Sequence, residues 1–134
     1  MCSLGPAPAE RAENGPAARL SANLEAVRAR IARAAVRAGR DPAAVRLLAV
    51  TKGVEAPAAA LLADLGQLDL GESRVQELER KVDWLAAGRR PASEGSVRWH
   101  LIGHLQRNKV RRALRSAGWL HSLDSARLLE ALEQ

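Results

Sequence analysis

Four short apolar runs, beginning near residues 46, 68, 97 and 119, alternate with amphipathic segments, and this alternation restricts the fold more than any other feature. Arg46 to Val50, Leu68 to Leu70, VRWHLI at 97 to 102 and WLHSL at 119 to 123 are short, apolar and bounded, so they read as buried strands. The segments between them carry helical spacing: Leu61, Leu62 and Leu65 after Pro57, then Val75, Leu78, Val82 and Leu85. Val110, Ala113, Leu114 and Ala117 follow, and last Leu128, Leu129 and Leu132 behind a cap at Asp124 or Ser125. Ahead of the first strand, Leu20, Leu24, Val27, Ile31 and Ala35 mark another helix, with Ser21 or Asn23 as candidate cap. Gly39, Gly66, Gly88 and Gly118 stand where helices should stop, and a polar loop through Pro91 and Gly95 precedes the third strand.

Successive strand-helix units imply parallel strands joined by right-handed crossovers, an α/β architecture that is either doubly wound or part of an eight-fold barrel. Both versions place ligands at the carboxyl ends of the strands. The candidates there are Thr51 and Lys52, then Gly71, Glu72 and Ser73, then His100 to His104, and finally Ser122 and Asp124. Lys52 stands out because the chain has 18 arginines and only three lysines. A guanidinium stays charged, whereas a lysine amine can lose its proton and attack a carbonyl carbon.

The length of 134 residues fits one domain, and 47% hydrophobic content is enough for a core built from Leu, Val and Ala, since Phe and Tyr are absent. The stretch MCSLGPAPAERAENGPA lacks an apolar signal-like run, and residues 1–18 read as a flexible tail ahead of a domain over 19–134. Cys2 is the single cysteine, so no disulfide framework forms within the chain. No stretch approaches the roughly 20 apolar residues of a membrane span, and a cytoplasmic location is the default expectation. The net charge of +6 raises nucleic acid as a partner, with RNKVRRALR at 107 to 115 the densest basic run. Its apolar stripe instead turns the arginines toward solvent, as a solvated helix face.

Several chemistries drop out. Neither G-x-G-x-x-G nor the nucleoside-triphosphate loop occurs. Gly103 between His100 and His104 argues against a helical metal pair, so no metal site is expected. Ser122, His121 and Asp124 are neighbours on one strand and cannot adopt triad geometry, and Asp124 reads as a helix cap. Alternation sets Trp99 opposite His100, as packing. What survives is a rim lysine with Ser73, His100 and His104 on neighbouring strand ends, a layout suited to holding an aldehyde as an imine.

Three segments, LLAVTKG at 47 to 53, LDLGESRVQELERK at 68 to 81, and VRWHLIGHLQRNKVR at 97 to 111 followed by HSLDS, resemble the pyridoxal phosphate homeostasis protein family. The resemblance implies an alanine-racemase-like (β/α)8 TIM barrel that binds pyridoxal 5′-phosphate as a Schiff base on the lysine after the first strand, here Lys52. It places His100 and Ile102 near the cofactor ring, and Ser73 where the family pattern G-E-N has an asparagine of longer reach. Thr51 and Gly53 differ from the commoner S-K-T. The implied role is storage, delivery or balance of vitamin B6, without turnover and with pyridoxal phosphate-dependent apoenzymes as partners. The resemblance runs from about Leu20 to Gln134, four of eight units, whereas a closed barrel typically takes about 250 residues. The expectation is therefore an amino-terminal half, a truncated chain with weakened cofactor binding and open sheet edges that invite self-association. The alternatives are half of a fold-type III racemase or decarboxylase, and a basic nucleic-acid-interacting module.

Overall fold

The structure, a computed structural model, describes residues 15–88 and 96–134. Cys2, most of the expected tail, and the polar loop through Pro91 and Gly95 lie outside the described residues. The chain divides into two compact units between Leu47 and Leu48.

In the first unit, helix α1 spans Pro16–Arg37 behind Gly15 as N-cap. It starts ahead of both expected caps, Ser21 and Asn23, because Pro16 has its φ preset and no N–H to leave unpaired in the first turn. At the other end Gly39 adopts φ 65°, and the Arg40 N–H reaches the Ala35 carbonyl at 2.9 Å, closing the helix in a left-handed cap. A 3₁₀ turn, Pro42–Ala44, follows, with the Asp41 carboxylate accepting from the Ala43 N–H at 2.9 Å.

The second unit holds β1 (Ala49–Val50), α2 (Ala56–Asp64), β2 (Asp69–Glu72), α3 (Val75–Ala87), β3 (Arg98–Leu101), α4 (Val110–Ser116), β4 (Trp119–Leu120) and α5 (Ala126–Glu133). The strands lie in the order β1-β2-β3-β4, all parallel. A doubly wound sheet reverses its strand order at a switch point, so sequential order leaves the barrel-type, singly wound arrangement. Among the described residues no helix is long and apolar enough to cross a membrane.

Register sorts the side chains onto two faces. Pairing of Leu70 with Trp99 and Glu72 with Leu101 puts these four on one face, and Asp69, Gly71, Arg98 and His100 on the other. Leu70, Trp99 and Leu101 pack with Val75 and Leu78 of α3, Val110 and Ala113 of α4, and Leu128 of α5. Trp99 is thus a core residue facing away from His100, as alternation required. The opposite face carries Val50 and Trp119, each about half exposed.

Several expectations shift by a residue or a face. The first strand contracts from 46–50 to Ala49–Val50, and the second moves forward so that Gly71 and Glu72 lie within it. The buried stripe of α2 is Ala56, Ala59, Ala60 and Ala63, while Leu61, Leu62 and Leu65 are half-buried. Leu114 and Leu129 face solvent, leaving Val110, Ala113, Ala117 and Leu128 as the buried positions. Gly118 does not stop α4, which ends at Ser116; its N–H instead bonds the Trp99 carbonyl at 2.9 Å as β4 begins. Ser125, not Asp124, caps α5 by accepting from the Leu128 N–H at 3.3 Å.

Helices α3 and α4 are fastened by a two-pronged contact between Arg112 and Glu79, with Nε at 3.0 Å from Oε1 and the second nitrogen on Oε2. The hydrogen bond from Arg112, with lesser attraction from Arg112 and Arg115, holds the Glu79 carboxyl below its ordinary range. A carboxyl lowered by folding adds stability above its unfolded pKa and loses it as pH falls through the folded value. Urea titration should therefore show Glu79→Gln costing up to about 1 kcal/mol at neutral pH and low salt, with the difference vanishing in acid. An equal cost at low pH would contradict this origin.

Candidate ligand-binding site at the carboxyl ends of the strands

Val50, Gly71, His100 and Trp119 lie side by side across the sheet. Two residues onward along the chain, just past the carboxyl ends of the four strands, stand Lys52, Ser73, Ile102 and His121. Hydrogen bonds from Ile102 N–H to the Glu72 carbonyl (2.8 Å) and from His121 N–H to the Leu101 carbonyl (3.0 Å) carry the ladder to Ile102 and His121. Lys52, Ser73 and Ile102 thus each follow the carboxyl end of a strand, whereas His100 lies within β3.

Lys52 is exposed, in a turn whose next residue, Gly53, has φ 79°, a conformation that disfavours a side chain with Cβ. The residue before it is completely buried and held on several sides. Thr51 N–H donates to the Gly71 carbonyl at 2.9 Å, and its hydroxyl donates to Glu72 Oε1 at 2.7 Å. Lys81 Nζ donates to the Thr51 carbonyl at 2.7 Å and pairs with Glu72 Oε1. Lys81 and Glu72 are each 1% exposed, on the helix-covered face. Lys81 therefore tethers the backbone immediately before Lys52, while its own amine is withdrawn from ligand. Its signal in the sequence is its position, three after Leu78 and four before Leu85, on the apolar stripe of α3 where a lysine needs a buried partner.

The neighbouring strand ends are in direct contact. A Cβ placed on Gly103 would lie 2.1 Å from the Ser73 carbonyl oxygen, so only glycine allows the loops after β2 and β3 to meet this closely. Ile102 lies across Gly71, its methyl carbons 3.4 and 3.5 Å from the position of a Cβ there, beside Leu48. Ser122 donates to the Gly103 carbonyl at 2.8 Å, tying the loop after β4 to the loop after β3. Asp124 is 3.1 Å from His104 Nδ1, a surface contact rather than a helix cap. His104 is exposed, and the basic side chain of Arg112 on α4 is occupied by Glu79.

His100 is almost fully buried, with Nε2 2.9 Å from Asp69 Oδ1 and Nδ1 3.0 Å from His121 Nε2. Its ring is stacked with that of Trp119 at 5.8 Å between centroids and 12° between planes. Arg98 donates to both oxygens of Asp69, at 2.8 and 2.6 Å. Contact with this carboxylate raises the Arg98 pKa above its ordinary value. Asp69 and His121 had no place among the candidates from sequence, although both lie in the segments that carry the family resemblance and at period-2 spacing from Gly71 and Trp119.

Truncating Lys81 leaves a carboxylate buried without its cation, and loss of one partner of a buried pair typically costs about 3–5 kcal/mol. Lys81→Met should lower the unfolding free energy by that order, and Glu72→Leu in the same chain should restore part of it. A cost below about 1 kcal/mol for Lys81→Met would show the pair to be solvated.

No protein-family model matches the chain. A pyridoxal phosphate homeostasis protein of Mycobacterium bovis is 41% identical over 114 residues, covering 83% of this chain and 44% of the relative. PipY of Synechococcus elongatus, solved with PLP bound, aligns with a TM-score of 0.61 and 38% identity over 77% of this chain and 46% of its own. A protein of unknown function from Bifidobacterium adolescentis aligns with a TM-score of 0.73 and 32% identity, over 87% of this chain and 49% of its own. The four sequential parallel units are those of the amino-terminal half of a TIM-type barrel. The chain spans about half the length of the relatives it matches, and over that stretch it is similar to pyridoxal phosphate homeostasis proteins.

Proposed function

We propose that the chain binds pyridoxal 5′-phosphate through a Schiff base on Lys52 and serves vitamin B6 homeostasis as a binding protein without turnover. The observation that carries this reading is the contrast among the three lysines. Lys52 alone is exposed and stands at a strand's carboxyl end, Lys81 is buried against Glu72, and Lys109 is half-buried in the turn before α4. The relative solved with PLP bound supports the choice of cofactor.

The residues suit a flat aromatic aldehyde. Lys52 offers an amine, Val50 and Ile102 are apolar, Gly71 has no side chain, and His100 supplies an imidazole within β3. The cofactor supplies an electrophilic carbonyl carbon; the lysine nitrogen replaces its oxygen, which leaves as water. The hydrogen bonds on Thr51 restrict where the Lys52 backbone can go, so less freedom remains to be lost when the amine engages a ligand.

In barrels of this type the loops after the seventh and eighth strands commonly hold phosphate. The four units here contain neither loop, so the proposal includes weaker cofactor binding than in a relative with all eight units. Among the described residues β1 and β4 are the outer strands of the sheet, a position that suits self-association, and cytoplasmic apoenzymes that need the cofactor are the proposed recipients.

The test is to incubate the chain with pyridoxal phosphate, reduce with borohydride, and map the added mass. The proposal expects the label on Lys52 and its loss in Lys52→Ala. Label spread evenly over Lys52 and Lys109, or retained in Lys52→Ala at the wild-type amount, would overturn it.

A further inference from the structure

We propose that His121 and His100 form a two-imidazole proton relay, entered at the exposed ring of His121 just past the carboxyl end of β4 and ending against Asp69. The chain of contacts is continuous: His121 Nε2 is 3.0 Å from His100 Nδ1, and His100 Nε2 is 2.9 Å from Asp69 Oδ1. The outer imidazole is exposed; the inner imidazole and the carboxylate have only 4% and 6% of their side-chain surface accessible.

The hydrogens follow from what each group can do. Asp69 accepts two N–H bonds from Arg98, so as a carboxylate it has no proton to give His100. The His100 Nε2 therefore carries hydrogen and donates to Asp69. In neutral His100 the Nδ1 is then a lone pair, and His121 must donate to it through Nε2–H. That leaves Nδ1 as the acceptor of the exposed His121 ring.

A proton that arrives at His121 Nδ1 can be matched by passage of the Nε2 proton to His100 Nδ1. One N–H bond forms at each ring and one breaks at His121. The result is an imidazolium at His100 between Asp69 and His121, with His121 neutral in its other tautomer and now a donor at Nδ1. No oxidant or further reactant is required. His121 Nδ1 thus changes from acceptor to donor when the inner ring takes charge.

The charged and titratable groups facing His100 are Asp69 from β2, Arg98 from β3 itself and His121 from β4, while β1 presents Val50 at this level. Arg98 bonds the same carboxylate and holds it in the orientation His100 requires. Asp69 and Arg98 are positioning residues here, acting on a ligand only through the two rings. The group served is an ionisable atom of a ligand at the carboxyl ends of the strands, such as a ring nitrogen or a hydroxyl. The hydrogen-bonded rings are read without ligand, while the ligand they serve rests on the binding site proposed above.

Imidazole nitrogen spectra of the ¹⁵N-histidine-labelled chain test it directly, without ligand. The expected result in weak alkali is the Nε2–H tautomer for both rings, with scalar coupling between His100 Nδ1 and His121 Nε2. Asp69→Asn, which offers an amide N–H to Nε2, should move the His100 hydrogen to Nδ1. His100 found as the Nδ1–H tautomer in the wild-type chain, or no coupling between the two rings, would overturn the relay. The wild-type spectrum decides the matter even if the variant fails to fold.

Discussion

Removing an ammonium and a carboxylate from water costs several kcal/mol for each ion, and only close geometry with further hydrogen bonds offsets it. Lys81 and Glu72 meet that condition behind β1 and β2. The lysine adds a bond to the Thr51 carbonyl, and the carboxylate accepts from the Thr51 hydroxyl. Thr51 is the shared partner, so the pair can persist only if the chain just before Lys52 keeps its place. The stability of α3 against the sheet and the position of the turn that presents Lys52 are therefore one constraint.

On the other face of the same strands, polar groups are arranged in rows. Arg98 and Asp69 lie lowest and His100 with Gly71 next, while Lys52, Ser73, Ile102 and His121 follow the carboxyl ends of the four strands. The face carries half-exposed Val50 and Trp119 alongside this network. An apolar core covered by helices on one side, and a layered polar chain on the other, divide the labour between holding the strands and meeting a ligand. Gly103 links the two, because close contact of its loop with Ser73 keeps adjacent strand ends level.

The four units were legible because burying short apolar runs between amphipathic segments leaves few architectures. The location of Lys52 followed from the rule that parallel strands present ligand sites at their carboxyl ends. Strand order was not legible: the sequence pattern fits a doubly wound sheet as well as a singly wound one until pairing is known. Lys81 was hidden because a charged residue normally faces water, and its partner Glu72 lies across a turn on another element. His121 was dismissed with its sequence neighbours Ser122 and Asp124, yet its partner is His100 on the adjacent strand. Spacing tells which residues share a face, but only register tells which of them touch. The alanine stripe of α2 was missed because leucine dominates the periodicity while the smaller side chain is the one buried.

The claim that a buried Lys81–Glu72 pair organises the lysine turn can be tested on the ammonium groups themselves. Side-chain ¹⁵N spectra of the three lysines at neutral pH should show one slowly exchanging ammonium, assigned to Lys81 and lost in Glu72→Gln, while Lys52 exchanges freely with water. Equal solvent exchange at Lys81 and Lys52 would contradict the account.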